Sequence, residues 1–219
     1  SDAAYETGRR VDGGDPGVTS GTARTLTGSG PASWYHDNTP AGIADLNGNV
    51  WEWVGGLRVN GGEIQVIQDN NAADSTKDQS AASTLWRAIS KTDGSLVAPG
   101  TSGSLKYDAA GASGAGAVQL DDVIDSQSDG SVSASTTFQS LAADTGITPP
   151  AILKALGLFP VASSGLGDDY IWVNNNAERL PVRGGGWNGG ANAGVFSLPL
   201  DNPRSSAGSG IGFRPAFAL

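Results

Sequence analysis

The sequence has no cysteine, no methionine and a single histidine in 219 residues. Without cysteine there is no disulfide, no thiolate metal site and no cysteine nucleophile, so packing has to stabilise the fold. One histidine cannot supply a histidine metal cluster either. His36 lies between Tyr35 and Asp37, and we interpret it as a hydrogen-bonded surface or half-buried residue rather than a catalytic one.

Positive charge is also scarce. The chain has 13 Lys and Arg and 22 Asp and Glu, which gives a formal net charge of −9. The basic residues form no cluster in the sequence. Such a field repels a nucleic-acid backbone and an anionic membrane surface, so we expect no nucleic-acid partner. No apolar run reaches the roughly 18 residues of a spanning helix, and no signal peptide is visible, so we expect no membrane insertion. Because the chain starts at Ser1 rather than Met, we expect an upstream segment.

The length fits one elaborated domain with a small appended piece. Residues 1–30 are rich in Gly, Thr, Ser and Asp, which predicts an N-terminal arm or linker. We assign residues 31–219 to the domain itself. Its middle, at about 70–165, is interpreted as an inserted helical and irregular region. Within it, residues 93–130 are rich in Gly, Ser, Ala and Asp, which predicts weak packing of their own.

Short patterned segments predict both strands and helices. Because they do not alternate as βαβ units, the fold class predicted is α+β. The predicted elements are a hairpin of 55–59 with 63–67, a helix behind Asp78 over 81–89, strand-like pieces at 104–107 and 117–120, helices over 136–144 and 148–156, and strands from Tyr170 onward.

A turn at residues 46–49 leads into a strand in which Trp51 and Trp53 share one face. Two tryptophans at this spacing predict a wall of the core. Glu52 lies on the opposite face and is costly to bury alone, so it needs backbone donors, an arginine or a cation.

The last stretch, residues 183–219, interleaves aromatic and aliphatic residues with Gly, Asn, Ser, Ala and Asp. Residues 197, 199 and 201 alternate with Leu198 and Leu200. This period of two predicts that the two leucines enter the core while the other three side chains face solvent. The alternative is a plain Gly/Ser/Asn-rich loop region, although simple linkers do not carry interleaved Trp, Phe, Leu and Arg.

Three motifs carry a resemblance to a known family: GIADLNGNVWEW at 42–53, RGGGW at 183–187 and GFRP at 212–215. In this order they resemble the formylglycine-generating-enzyme-like (sulfatase-modifying-factor) branch of the C-type lectin fold. More narrowly, the chain is similar to phage and prophage proteins whose C-terminal lectin-like domain is diversified by a retroelement. The resemblance is close over about 33–58 and 168–219 and loose between them. It implies a C-type lectin-like fold with a variable region at about 183–219.

The enzymes of that branch use a copper-binding cysteine pair or an iron-binding histidine cluster, and this chain has the residues for neither. No spacing of its carboxylates singles out an acid/base pair. We therefore expect a non-catalytic protein that requires no cofactor, bearing in mind that a fold alone never fixes function.

The resemblance also implies a structural calcium ion. In the resembling enzymes the loop and glutamate that match 47–52 hold one. Carried over to this sequence, the ligands are the carbonyls of Asn47, Gly48 and Val50 and the carboxylate of Glu52, a mixed oxygen set that suits a hard cation. An equally good alternative is that Glu52 caps the glycine-rich loop or pairs with an arginine.

The retroelement copies template adenines with errors, so an AAY codon changes at its first two bases. Gly, Ser, Asp, Ala, Pro and Asn are all reachable from it. The positions that the resemblance makes variable, and hence ligand-binding, are Gly186, Asn188, Gly189, Asn192, Ser197, Pro199, Asp201, Asn202, Ser206, Ala207, Gly208, Ser209 and Gly210. The matching frame residues are Trp187, Gly190, Val195, Phe196, Leu198, Leu200, Arg204, Ile211, Phe213 and Arg214.

The function that the resemblance implies is a phage receptor-binding protein at a tail tip or fibre end, in the virion and outside the cell. Its partner would be a host cell-surface protein or glycan. Homotrimers are the usual arrangement of phage adhesins, and multivalency would offset weak contacts by small variable side chains. The alternatives are a variable ligand-binding protein displayed on a bacterial cell surface and a tail or capsid decoration protein.

Overall fold

The computed structural model describes residues 6–110, 116–127 and 133–214. Short runs of apolar and polar residues between Gly, Asn and Ser turns form strands here rather than long helices. The strands are β1 Trp51–Trp53, β2 Leu57–Asn60, β3 Glu63–Ile67, β4 Trp86–Ile89, β5 Leu96–Val97, β6 Lys106–Ala109, β7 Val118–Asp121, β8 Ala134–Thr137, β9 Ala142–Ala143, β10 Tyr170–Val173, β11 Glu178–Arg179, β12 Val182–Arg183, β13 Leu198–Leu200 and β14 Ile211–Phe213.

Helical structure in the described ranges is brief. The α-helix α1 is Ala151–Ala155, and 3₁₀ turns lie at Ala32–Trp34, Asn71–Ala73, Phe138–Ser140 and Gly190–Asn192. No helix among the described residues is long and apolar enough to cross a membrane.

The strands form three sheets. The largest has the order β11-β2-β3-β6-β7-β9, with β4 pairing with β3 and β5, and the two smaller sheets have the orders β12-β1-β14 and β13-β10-β8. The regular secondary structure of the described residues is thus mostly β-sheet, with few helices. This is compatible with the predicted α+β class and with a mainly β class.

The predicted hairpin is confirmed. Strands β2 and β3 are antiparallel, with Leu57 opposite Val66 and Asn60 opposite Glu63. Gly61 and Gly62 form the turn at positive φ values of 55° and 82°, a conformation that glycine adopts without steric cost.

The helix predicted behind Asp78 is wrong. Residues 86–89 form β4, which pairs with β3 and β5. Asp78 caps a tight turn by accepting the Ser80 N–H at 2.8 Å. Trp86 is buried under the Arg58 guanidinium, which lies 4.4 Å from the ring centroid. These tertiary contacts override the helical spacing of the apolar residues.

The helix predicted over 136–144 is also wrong, whereas the next one is confirmed. Residues 134–137 form β8, which runs antiparallel to β10. Phe138 then turns into the core and stacks on Phe196 with ring centroids 5.8 Å apart. Helix α1 follows Pro150, and Gly157 ends this helical segment at φ 65°.

Within the region at about 70–165, the stretch 93–130 is not weakly packed, which corrects the interpretation of its composition. Its side chains Leu105, Tyr107 and Leu120 are almost fully buried, as are Leu153 and Leu158 later in the region. They share one apolar cluster with side chains of β3, β10 and β13. The Gly- and Ser-rich stretches connect strands that carry part of the core. Residues 111–115 and 128–132 of this region lie outside the described residues.

Residues 6–30 fold back on the domain instead of forming a linker. Buried Arg10 donates hydrogen bonds to the carbonyls of Val18 and Ser20 and so shapes the arm's own loop. Thr25 and Asn49 exchange two hydrogen bonds, of 2.8 and 3.1 Å, which hold the arm against the loop before β1.

The arm also touches the C-terminal region. Arg24 Nη1 donates to the carbonyl oxygen of Ser209. The arm therefore contacts both the loop before β1 and the segment before β14.

A buried ion-pair network ties β11 to the hairpin. Arg58 Nη1 donates to Glu178 Oε1 at 2.9 Å and to the Ala81 carbonyl, also at 2.9 Å. Arg204 binds both oxygens of Glu178 at 2.9 Å. These hydrogen bonds, from Arg204 first and then from Arg58, hold the pKa of Glu178 below its ordinary value.

Replacing Glu178 with Gln should lower the free energy of unfolding at neutral pH by about 2 to 3 kcal/mol. Removing one partner of a fully buried pair costs roughly 3 to 5 kcal/mol, and Glu178 is partly exposed. Because the folded pKa is depressed, this stabilisation is complete above the unfolded pKa of about 4.3 and is lost as the pH falls through the folded pKa.

The measurement is urea unfolding of both proteins from pH 7 down to pH 3. The difference between the two curves should begin to shrink as the pH falls below about 4.3 and should shrink further toward pH 3. Lys77→Gln is the control, since it removes only an exposed pair with Asp74 and should change stability by less than about 0.5 kcal/mol. A difference between wild type and E178Q that does not change with pH would contradict the assignment.

Candidate ligand-binding face

Strand β1 brings the three motif segments together. It lies between β12 and β14, with Glu52 opposite Arg183 and Trp51 beside Ile211. Main-chain hydrogen bonds extend this contact, from Trp51 N to Gly210 O at 2.8 Å and from Trp187 N to Asn49 O at 2.9 Å. The segments 42–53, 183–187 and 210–214 are therefore neighbours in space.

Aromatic rings gather at this junction. Trp51 meets Trp172 edge to face, with centroids 6.0 Å apart and planes at 88°. Tyr170 lies 5.2 Å from Trp172. All three rings, like Trp53, are half-buried rather than fully buried. The predicted wall of the core at Trp51 and Trp53 is thus wrong, since their strand lies at the rim of the main apolar cluster and leaves aromatic surface accessible.

The first concavity, which we name the aromatic groove, has a volume of about 220 Å³. Two indole rings and three aliphatic side chains line it, and a carboxylate and an amide supply its polar groups. Its lining residues are Trp51, Trp172, Val182, Pro199, Asp201, Asn202 and Ile211.

The second concavity, which we name the arm cleft, is larger, at about 780 Å³. It opens between the N-terminal arm, residues 33–36, residues 45–49 and the loop 186–195. Trp34 and Trp187 both line it, and the buried Nε1 of Trp34 has no hydrogen-bond partner. His36, at its edge, is exposed and accepts the Ile43 N–H on Nδ1 at 2.8 Å. This matches the interpretation of His36 as a hydrogen-bonded surface residue.

The thirteen predicted variable positions fall into three groups by exposure. The exposed ones are Asn188, Asn192, Ala207, Gly208 and Ser209. The half-buried ones are Gly189, Asp201, Asn202, Ser206 and Gly210, and the buried ones are Gly186, Ser197 and Pro199.

The solvent-facing assignment of residues 197 and 199 is wrong. Ser197 has no exposed surface, and its hydroxyl donates to the Asn192 carbonyl at 2.5 Å. The loop 190–196 folds over this position. Alternate side chains of β13 therefore point to opposite faces of the strand, but both faces are buried. Pro199 pairs in register with Trp172 and is buried, although it contributes to the groove wall.

Several candidates still border the aromatic rings. A Cβ on Gly186 would lie 3.3 Å from Trp51 Nε1, and a Cβ on Gly210 would lie 3.1 Å from the Trp187 ring. Asp201 and Asn202 line the aromatic groove. The structure thus brings these positions to one aromatic surface but keeps Ser197 away from solvent.

Two predicted frame residues are also misplaced. Phe213 is 77% exposed and Val195 is 57% exposed. Phe213 belongs to β14, whose described partner is β1 on one side only. With a neighbouring strand on one side only, β14 has fewer side chains beside it, and all three of its residues are half-buried or exposed.

Asp169 is a positioning residue that sequence patterns did not indicate. Its buried carboxylate accepts the Phe196 N–H at 2.7 Å and packs against Gly194, where a Cβ would clash with it. Burial raises the pKa of Asp169 above its ordinary value. The carboxylate of Asp169 therefore holds the loop over Ser197 in place. The sequence could not indicate this role, because Asp169 lies 27 residues before Phe196.

The geometry favours the arginine alternative for Glu52 over a calcium ligand. Arg214 Nη2 donates to Glu52 Oε1 at 2.7 Å, and Arg214 Nε donates to Oε2 at 3.1 Å. A guanidinium that takes both oxygens matches the carboxylate charge and would repel a cation. Asn47, Gly48, Val50 and Glu52 thus do not fit a calcium ligand set in this arrangement. The described residues contain no group of three or more His, Cys, Asp or Glu that could hold a metal ion.

Compared with known proteins, the chain matches no family model, and no curated protein matches it. The assignment of function therefore depends on the residues and geometry of the face itself.

Burial predicts which variable positions tolerate change. Ser197→Asn should lower the free energy of unfolding by about 1 to 3 kcal/mol, because it adds volume to a filled site. The matched control Asn188→Ser, at an exposed position, should stay within about 0.5 kcal/mol of wild type. Thermal and urea unfolding measure both, and equal stability of S197N and wild type would contradict the assigned burial.

Proposed function

We propose that this chain is the non-catalytic receptor-binding part of a phage or prophage protein with a C-type lectin-like, retroelement-diversified domain. The observation that carries the proposal is the placement of the accessible variable candidates. Three of them, the half-buried Asp201, Asn202 and Gly210, border half-buried tryptophans on a frame of paired strands. A ligand-binding face of this kind combines fixed anchors with replaceable neighbours.

The fixed aromatic residues can supply the binding affinity that small variable side chains alone would lack. Tryptophan supplies most of the contact energy in many binding sites, and small polar residues adapt the surrounding hydrogen bonds. Here Trp51, Trp172 and Trp187 are partly accessible beside Gly186, Asn202 and Gly210. The variable residues then select the ligand, while the tryptophans provide affinity.

The mode of display follows from the same proposal. We assign the protein to the virion tail, outside the cell, with a host cell-surface protein or glycan as its partner. A homotrimer would multiply weak contacts into firm attachment. A bacterial surface-displayed binder would use the same face, and a decoration protein would have no receptor for it.

Genomic variation tests the retroelement part. A near-copy of the region coding for 183–214 should lie beside a reverse-transcriptase gene and differ mainly at template adenines. Among independent copies, codons for Asn188, Asn202 and Ala207 should vary more than that for Ser197, because substitutions at 197 destabilise the fold. Sequencing of related genomes measures this, and uniform codons at all four positions would argue for decoration.

Competition for host attachment tests the receptor part. Purified wild-type chain should block adsorption of the phage that carries the gene, whereas Ala207→Trp should reduce this block at least tenfold, because it places an indole among the exposed variable candidates at 207–209. Thr92→Trp is the matched control, because Thr92 is also exposed but lies outside the variable region at 183–219. Equal competition by A207W and wild type would overturn the assignment of the face.

A further inference from the structure

We infer that the aromatic groove binds one neutral pyranose ring of a glycan, with its C–H face against tryptophan and its hydroxyl groups on Asp201 and Asn202. The inference deepens the proposed function and rests on it, since it names the chemical class of the receptor. Four features of the groove support it: its size, its walls, its polar groups and its charge.

The size of the groove limits the occupant. Its volume of about 220 Å³ is below the roughly 300 to 1,000 Å³ of pockets that take drug-sized ligands. A single saturated ring fits such a space, whereas a folded peptide segment does not. The groove is open to solvent at its mouth, which allows the rest of an oligosaccharide to continue outward.

The walls suit a ring with an apolar face. Trp51 and Trp172 both line the groove, and their ring planes meet at 88°. The negative face of an indole attracts polarised C–H groups. Pro199 and Ile211 complete the wall with aliphatic surface. Aliphatic walls contact C–H groups well but offer no compensation to a cation that loses its hydration.

The polar groups suit hydroxyls. Asn202 Nδ2 donates to Asp201 Oδ1 at 3.2 Å, so carboxylate and amide lie side by side and present acceptors and a donor together. In the described part of the chain, Asp201 forms no ion pair at salt-bridge distance. The charge of Arg179 acts on Asp201 only from beyond that distance, so the half-buried carboxylate gains from hydroxyl donors supplied by a ligand.

Charge excludes acidic sugars. Asp201 would repel a carboxylate or sulfate brought into the groove, and the chain as a whole carries a net charge of −9. Burial raises the pKa of Asp201 above its ordinary value, while a backbone hydrogen bond and the charge of Arg179 act in the opposite direction. The groove therefore favours a neutral sugar.

The test is titration of the full ¹⁵N-labelled chain with methyl glycosides of glucose, galactose, mannose and N-acetylglucosamine. At least one neutral glycoside should shift the indole N–H signals of Trp51 and Trp172 saturably and leave that of buried Trp86 unchanged. Asp201→Asn should weaken this binding about tenfold, because it removes a hydrogen bond to a charged group. Asp168→Asn is the matched control, since Asp168 is exposed and lies outside the groove.

Three results would overturn the inference. The first is the absence of any shift with all four glycosides. The second is a saturable shift with Nα-acetyl-lysine amide instead, which would make the groove a cation site. The third is equal binding by D201N and wild type while thermal unfolding shows that D201N is folded.

Failure here is separable from failure of the proposed function. If A207W loses competition for the host but no glycoside binds, the receptor proposal stands and the groove is not a sugar site. If a glycoside binds but A207W competes like wild type, the sugar site stands and the assigned receptor face fails.

Discussion

The parallel pairing of β1 with β14 is the constraint on which the candidate face depends. It joins a strand near the first quarter of the chain to one near its C-terminus, with Trp51 beside Ile211. Parallel neighbours need a long connection between them, and here the connection contains most of the core. The bidentate pair of Arg214 with Glu52 lies across the same junction. Without this pairing the aromatic rings and the accessible variable candidates would not meet.

In the terminal region, the observed burial of side chains does not follow the alternation expected along a strand. Leu198 and Leu200 have no exposed surface, and Ser197 between loop and strand has none either. Substitutions in the loops at 188–192 and 202–210 should therefore cost little folding stability, whereas substitutions within β13 should cost much more. In the proposed function, the variable surface consists of loop positions near fixed tryptophans, and the paired strands beneath keep it rigid.

Local signals predicted the parts of the fold that depend on local chemistry. The hairpin around Gly61 and Gly62 and the end of α1 at Gly157 were predictable, because turn residues with positive φ determine both. Apolar spacing misled at 81–89, where Trp86 packs under Arg58 in a sheet. Spacing over a few residues cannot report such a distant partner.

The segments that form the site were predictable from the sequence, but the individual side-chain contacts within it were not. The motifs singled out 42–53 and 183–215 without saying that they are neighbours, and the alternation of Tyr170 and Trp172 was a usable signal for aromatic side chains on one strand face. The sequence left open that Glu52 pairs with an arginine but did not identify Arg214, and the role of Asp169 had no sequence signature, because each contact joins residues far apart in the chain. The exposure of Phe213 likewise depends on β14 being at a sheet edge.

The contacts that hold the variable segment are made to its main chain. Arg24 of the arm binds the carbonyl of Ser209, and Trp51 N binds the carbonyl of Gly210. A peptide carbonyl is the same whichever residue bears it, so these clasps do not read the identity of the side chain. Substitution at 209 or 210 therefore leaves the acceptor atoms of these two hydrogen bonds unchanged.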